Sequence, residues 1–254
     1  MSLTACQAQP RARKQHINFT ALRPIPVTLP FSVSCLRPFL VAKFFEPQRM
    51  LSWSLTHPGA RVAQCVAWIE VCNTDLPQDT DAASYISRRM AEANLSDAVT
   101  LVTSRDIRRH HVSQSIIEDD TATCLTTAGL SNGERVGRRI STPVPLAGTI
   151  NTLLHVSRPL PEGAFLETMS VVTQARTTAI LEADVQRDGV TLTGTGTDCI
   201  VVAAPINGTV AQFAGLHTAL GEAVGAAVYQ ATRDGVETWQ RDRETSFAHR
   251  TARA

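Results

Sequence analysis

The feature of this sequence that most constrains its fold is a glycine- and threonine-rich segment that runs directly into an apolar stretch. Residues 191–197 read Thr-Leu-Thr-Gly-Thr-Gly-Thr, Asp198 follows, and Cys199 to Ala204 is uninterruptedly apolar and rich in β-branched residues. Such a run is typical of a buried strand. Because glycines let the backbone approach a ligand and leave N–H groups pointing outward, the segment predicts a loop at the start of a central strand.

The loop matches neither of the common nucleotide-binding patterns. No lysine follows Gly196, so it is not a phosphate-binding loop of the Walker type. A third glycine is missing and the loop precedes a strand rather than a helix, which excludes a dinucleotide fingerprint. From these residues alone, two interpretations stay open: a ligand-binding loop, or a tight turn that Asp198 caps.

Composition limits the classes of partner and the compartment. The 254 residues suit one large domain, and a formal net charge of +1 gives no electrostatic argument for nucleic acid or for an anionic membrane. We therefore expect neither partner. The six cysteines contain no C-x-x-C pair, and the N-terminus shows neither a signal peptide nor a spanning helix, so we expect a cytoplasmic protein.

Strand-like and helix-like segments are mixed without strict alternation, which predicts a single layered α/β or α+β domain with a mixed sheet and packed helices. Residues 1–35 are predicted to be a loosely ordered extension, 36–239 the domain, and 240–254 a polar tail. His110 and His111, next to two arginines, are interpreted as an exposed basic loop. Strands are predicted at 39–45, 49–57, 62–71, 98–103, 121–128, 147–156 and 199–204, with a further edge strand at 25–33, and helices at 79–94, 161–184 and 217–238.

Several polar residues near the loop are candidates for chemistry. His217 and Glu222 are five positions apart, hence about 140° apart around a helix, so both face one site only if His217 precedes the helix. Asn132 and Asn151 sit at predicted strand ends, where turn chemistry and hydrogen bonding to an amide-rich ligand are both open. Cys199 begins a buried run, and burial raises a thiol pKa and makes it inert.

Metal-binding patterns are missing from the sequence. It contains no H-E-x-x-H and no zinc-ligand spacing of cysteines. We expect no metal and no other cofactor.

Taken together, four segments in the same order resemble the CbiZ family, the adenosylcobinamide amidohydrolases. They are Thr127–Asn132, Gly148–Asn151, Thr193–Asp198 and Ala214–Glu222, and the resemblance extends over about residues 39–229. It implies hydrolysis of the amide between the corrin ring and the aminopropanol arm of adenosylcobinamide, in corrinoid salvage for cobalamin synthesis, with the corrinoid as partner.

The resemblance also suggests site residues. Asp198 is the predicted base for water, His217 the acid for the leaving amine or its partner, and Glu222 completes the predicted catalytic set. The predicted substrate contacts are Asn132 and Asn151 together with the loop Gly194, Thr195, Gly196 and Thr197, whose N–H groups are candidate oxyanion donors.

The sequence departs from the family at three places. Cys199 replaces a residue that is often small, Leu216 stands where the family has a lysine, and Leu51–Gly59 differs from the family's early loop. Two alternatives therefore stay open: a corrinoid-binding protein without catalysis, and an amidase of another small amide. A homo-oligomer is also left open.

Overall fold

The computed structural model describes residues 28–72, 75, 81–138 and 148–251, with side chains as far as residue 245 in the last helix. Within these ranges the helices are α1 (Ala82–Glu92), α2 (Glu162–Glu182) and α3 (Ala219–Thr251), and a 3-10 turn covers Ile107–Arg109. The strands are β1 (Phe31–Leu36), β2 (Phe39–Ser52), β3 (Gly59–Glu70), β4 (Val99–Thr103), β5 (His110–Ile117), β6 (Asp120–Ala128), β7 (Gly133–Glu134), β8 (Ile150–Val156), β9 (Gln186–Arg187), β10 (Val190–Thr191), β11 (Gly194–Thr195) and β12 (Cys199–Pro205).

One mixed sheet organises the molecule, and it confirms the predicted α/β single domain. Its strand order is β4-β3-β2-β12-β8-β6-β5, with β1 paired to β2. β12 is parallel to β8 and β3 is parallel to β4, whereas the other neighbours are antiparallel. A register shift between Lys43 and Gln48 divides β2, so β1 pairs with its first part and β12 with its second.

The apolar run after the loop forms the centre of this sheet. β12 has a hydrogen-bonded neighbour on each edge, and its two faces bury alternate side chains in different clusters. Ile200, Val202 and Ala204 belong to the cluster beneath α2 and α3. Val201 and Ala203 belong to the cluster on the other face, with β1 to β4. A strand buried on both faces needs apolar residues at every position, which explains the continuous run.

The two long helices cover one face of the sheet, and α3 approaches it closely at Gly235. A Cβ atom there would lie 2.9 Å from the Cβ of Ala128 on β6. α1 packs against Ala67 and Ile69 of β3, on the face of that strand opposite to Val66 and Trp68, and Asp81 is its N-cap, accepting from the Ala83 N–H. In the described part of the chain, none of the helices is long and apolar enough to cross a membrane.

Several local predictions were wrong. His110 and His111 begin the edge strand β5 rather than a loop; its alternation is weak because polar Ser113, Gln114 and Ser115 interrupt it. The two strands predicted at 39–45 and 49–57 are a single strand, β2. The residues that were predicted to separate them lie at the register shift in the pairing of β2 with β3. The last helix was predicted to end at residue 238, but α3 continues as far as Thr251.

The predicted N-terminal boundary cuts through an element of the sheet. β1 covers Phe31–Leu36, and Phe31 is buried against Phe44 with 5.1 Å between ring centroids. The predicted edge strand therefore lies later than 25–33, and residues 25–27 fall outside the described residues.

Candidate active site

A cleft of about 460 Å³ opens at the amino ends of β8 and β12. Three of the predicted segments meet there, through Asn132, through Gly148, Thr149 and Asn151, and through Gly196–Asp198. Two parallel neighbouring strands begin side by side, so the residues that precede them share one edge of the sheet. The remaining walls come from Trp53 and Leu55 after β2 and from residues of β4 and Ser104.

Asp198 holds the glycine- and threonine-rich loop in place. Its Oδ2 accepts from the Thr195 N–H at 3.0 Å, and its Oδ1 accepts from the Ile150 N–H at 3.1 Å and from the Thr195 hydroxyl. Arg176 of α2 places Nη1 3.3 Å from Oδ2. A Cβ at Gly194 would lie 2.7 Å from Oδ2, so the carboxylate occupies space that any other residue at 194 would fill.

The ion pair between Arg176 and Asp198 is buried. The two side chains are 10% and 8% exposed, and neither Nε nor Nη1 of Arg176 has a hydrogen-bond partner among the described residues, so the contact with Asp198 is an ion pair without a hydrogen bond from Nη1. Removing one member of such a pair leaves a buried charge uncompensated. Nothing in the sequence singles out Arg176, because it comes from a helix twenty-two positions earlier and no spacing rule links the two residues.

Two threonines fasten the loop to the start of β8. The Thr149 hydroxyl donates to the Thr197 carbonyl at 2.8 Å, and the Thr197 hydroxyl donates to the Gly148 carbonyl at 3.1 Å. Gly148 is required by close packing, since a Cβ there would lie 2.8 Å from Oδ1 of Asn132. The loop backbone at Gly196 and Thr197 is thereby fixed at the edge of the cleft.

Asn132 and Asn151 bring unpartnered acceptors to the cleft. The Nδ2 of Asn151 donates to the Val102 carbonyl at 2.7 Å, which fixes the orientation of that amide. The Oδ1 atoms of both asparagines are buried and accept no hydrogen bond from any residue that the structure describes. Buried acceptors of this kind are costly unless a donor arrives, so they favour a ligand with N–H or O–H groups.

Trp53 and Leu55 form an apolar wall that the sequence alone does not indicate. The indole Nε1 of Trp53 donates to the Asp198 carbonyl at 2.8 Å, which anchors the ring beside the loop. The two side chains are nevertheless 48% and 50% exposed. They lie in the Leu51–Gly59 segment, where the departure from the family pattern was the only sequence signal.

Cys199 lies in the cleft wall as a poor nucleophile. Burial raises the pKa of its thiol, the direction predicted from the apolar run, and the nearby Ser52 hydroxyl, 3.7 Å from the sulfur, opposes that shift. Within the described residues no three His, Cys, Asp or Glu side chains are grouped to hold a metal.

His217 and Glu222 lie away from this cleft. Both are exposed, and they flank the start of α3, which follows the carboxyl end of β12. Asp198 precedes the amino end of the same strand, whose seven residues span about 20 Å. One chain therefore brings Asp198, Asn132, Asn151 and the loop together but leaves His217 and Glu222 at the other end of the sheet.

Comparison with known proteins identifies relatives. A family model described as adenosylcobinamide amidohydrolase, CbiZ, matches residues 28–244. A protein of Methanosarcina mazei named adenosylcobinamide amidohydrolase is 31% identical over 131 residues, which is 48% of this chain and 60% of that protein. An uncharacterized protein of Methanocaldococcus jannaschii is 34% identical over 84 residues, 32% of each chain.

The matched regions thus span 60% and 32% of the length of these two relatives. Among solved structures, a protein of Pyrococcus horikoshii covers 82% of both chains at 11% identity, but its TM-score of 0.38 is too low to carry an argument.

Proposed function

The chain belongs to the adenosylcobinamide amidohydrolase family, whose model covers residues 28–244, and on that premise we propose that it hydrolyses adenosylcobinamide. The bond broken is the amide between the corrin ring and the aminopropanol arm, and the products are adenosylcobyric acid and the free amine. The reaction would serve corrinoid salvage for cobalamin synthesis.

The observation that carries this proposal is the pair of unpartnered amide oxygens in the cleft. The Oδ1 atoms of Asn132 and Asn151 lack donors in the described structure, and a corrin ring carries primary amides at its edge. An amide N–H donated to each oxygen would satisfy both acceptors on binding, so the free energy of their desolvation would be recovered by the ligand.

The apolar wall suits the same ligand. Trp53 and Leu55 leave half of their apolar surface uncovered beside the loop. Ligand sites combine such apolar walls with a few fixed polar groups. The face of a large macrocycle would cover the wall while its amide-bearing edge reaches the asparagines.

The loop offers the groups that an amide hydrolysis requires. Water attacks the carbonyl carbon, its oxygen gains negative charge, and the C–N bond breaks as the amine takes up a proton. The backbone N–H of Gly196 is the candidate donor to that oxygen, since the Thr197 N–H already donates to the Thr195 hydroxyl at 3.4 Å, and the threonine hydrogen bonds hold this backbone in position. Preorganised donors of this kind stabilise the transition state because they need no reorientation.

Asp198 is proposed to position this loop rather than to activate water. A carboxylate has about four lone-pair sites, and here two N–H groups and one hydroxyl donate to three of them, while the Arg176 guanidinium pairs with the charge. Taking a proton would remove that charge and leave the buried guanidinium of Arg176 uncompensated. The catalytic roles predicted for His217 and Glu222 remain proposals, since neither residue lines the cleft within one chain.

Incubation with adenosylcobinamide, followed by mass spectrometry, tests the activity directly. We expect released aminopropanol and a corrinoid acid. Asn132→Ala should raise KM about fivefold to tenfold through loss of one hydrogen bond, whereas Asn207→Ala, an exposed residue at the far end of β12, should leave KM unchanged.

Other outcomes separate the alternatives. Tight corrinoid binding without product would favour a non-catalytic binding protein. Neither binding nor turnover would contradict the proposal and direct attention to other small amides.

A further inference from the structure

A second cleft, of about 400 Å³, lies between the start of β5 and α3. It is lined by basic side chains: Arg108, Arg109, His110 and His111 from the 3-10 turn and β5, and Arg241 from α3, with Asp242 beside them. None of these residues belongs to the site described above or to the segments that resemble the family.

Positive charge exceeds negative charge around this cleft. Arg108 is held by Asp106, and Asp242 is shared between Arg105 at 2.6 Å and Arg109 at 3.3 Å. Asp234 is a third carboxylate acting on the cleft, and Glu70, which also acts on Arg108, is already paired with Arg37. Arg241 forms no ion pair within the described residues, so one guanidinium charge is left over.

Hydrogen-bond donors in the cleft outnumber acceptors. Arg241 is exposed and uses one N–H on the Thr238 hydroxyl at 3.1 Å, out of the five that a guanidinium carries. Arg109 is 53% exposed, and its ion pair within the described residues is the one with the shared Asp242. His110 Nδ1 donates to the Ile107 carbonyl at 2.8 Å, so the Nε2 of the neutral imidazole is an acceptor and adds no donor to the cleft.

The lowered pKa of His111 is consistent with an excess of positive charge around the cleft. Burial is the main cause of its lowered pKa, and neighbouring His110, Arg105 and Arg241 lower it further, whereas Asp234 opposes them. Its Nε2 is buried without a partner in the described structure. The cationic neighbours of an imidazole disfavour a second positive charge and favour an anion in the same space.

We propose that this cleft is a binding site for a phosphorylated small molecule, held through its phosphoryl group by Arg109 and Arg241. A phosphoryl oxyanion presents three acceptor oxygens and up to two negative charges, which matches a set of convergent arginine donors better than a single carboxylate does. Arg105, whose guanidinium reaches Asp242 of this cleft, directly follows Ser104 in the wall of the first cleft.

Isothermal titration calorimetry of the full chain with inorganic phosphate tests the site. Arg241→Ala should weaken phosphate binding by roughly tenfold, as expected for the loss of a charge-assisted hydrogen bond. Arg233→Ala is the matched control, because Arg233 lies two turns earlier on α3, is equally exposed and pairs with Glu237; its phosphate affinity should equal that of the unchanged protein. Acetate in place of phosphate should bind at least tenfold more weakly.

Absence of phosphate binding at millimolar concentration, or equal losses in Arg241→Ala and Arg233→Ala, would overturn the proposal. Thermal melts of both variants show whether each is folded, so that a loss of phosphate binding is not confused with a loss of folded protein. The measurement needs no corrinoid, so it is decided independently of the hydrolytic activity.

Discussion

The buried ion pair between Asp198 and Arg176 fixes the position of the loop at the edge of the cleft. The guanidinium comes from α2 and the carboxylate from the loop before β12, and the pair joins the helix layer to the edge of the cleft. The loop geometry on which the proposed oxyanion donor at Gly196 depends therefore rests on a helix residue outside the cleft.

Arg176→Met should lower the free energy of unfolding by about 3 kcal/mol, because it leaves the Asp198 carboxylate buried without its countercharge. Urea denaturation measures this. Glu237→Gln, which breaks the exposed pair with Arg233, should cost less than about 0.5 kcal/mol. A double variant, Arg176→Met with Asp198→Asn, should recover part of the loss; no recovery would mean that the two residues are not energetically coupled.

The buried His155 should make the free energy of unfolding depend on pH. Burial lowers its pKa to about 4 from an ordinary 6.5, so the folded protein keeps this imidazole neutral. As the pH falls from about 6.5 to about 4, the unfolded chain gains a proton that the folded chain does not, and stability drops by up to about 1.4 kcal/mol per pH unit. Stability from this group is complete above that window.

Unfolding measured at about pH 7 and about pH 5 tests this expectation. His155→Gln should lose this part of the slope even though its stability at neutral pH is lower. His217→Gln, at an exposed position, should keep the slope of the unchanged protein. Equal slopes in both variants would contradict the assignment to His155.

At the scale of elements, α3 contains two glycines with opposite expected effects. A Cβ at Gly235 would lie 2.9 Å from the Ala128 Cβ on β6, whereas a Cβ at Gly225 meets nothing closer than 3.9 Å. Gly235 sets how closely the helix approaches the sheet, whereas Gly225 has room for a methyl group.

Gly235→Ala should therefore destabilise by about 1–3 kcal/mol through overpacking, less the helix propensity that alanine brings. Gly225→Ala, in the same helix, should be neutral or stabilise by up to about 1 kcal/mol. Thermal or urea unfolding compares them. If both variants are more stable than the unchanged protein, a methyl group at residue 235 fits between α3 and β6 and the overpacking argument is wrong.

At the scale of the whole molecule, the cleft and the start of α3 lie at opposite ends of the sheet. The Ala214–Glu222 segment is one of the four that resemble the family, yet its exposed His217 does not reach the cleft within one chain. Either the cleft acts without this imidazole, or a second copy of the chain supplies it.

His217→Ala should keep kcat/KM for adenosylcobinamide within about threefold, because a general acid or base must lie within hydrogen-bond reach of the reacting atoms. Glu222→Gln should behave in the same way. A loss of about a hundredfold or more in His217→Ala would contradict a cleft complete in one chain. Sedimentation of the unchanged protein at the assay concentration would then reveal whether copies associate.

Many local features could be predicted from the sequence because they depend on neighbouring residues. The continuous apolar run identified β12, helical spacing identified α1, Pro161 at a first turn identified the start of α2, and glycine-threonine alternation identified the loop. β5 was missed because an edge strand has polar residues on its solvent face and gives a weak alternation.

The sequence by itself determined which residues form the central strand and the loop before it, since burial on both faces and backbone freedom are both encoded in local residue types. Only the tertiary structure decided that Arg176 pairs with Asp198, that Trp53 forms a wall of the cleft, and that His217 lies at the other end of the sheet. These relations depend on strand order, on the register shift in β2 and on the packing of α2. They join residues that are distant along the chain, and no periodicity in the sequence encodes such distances.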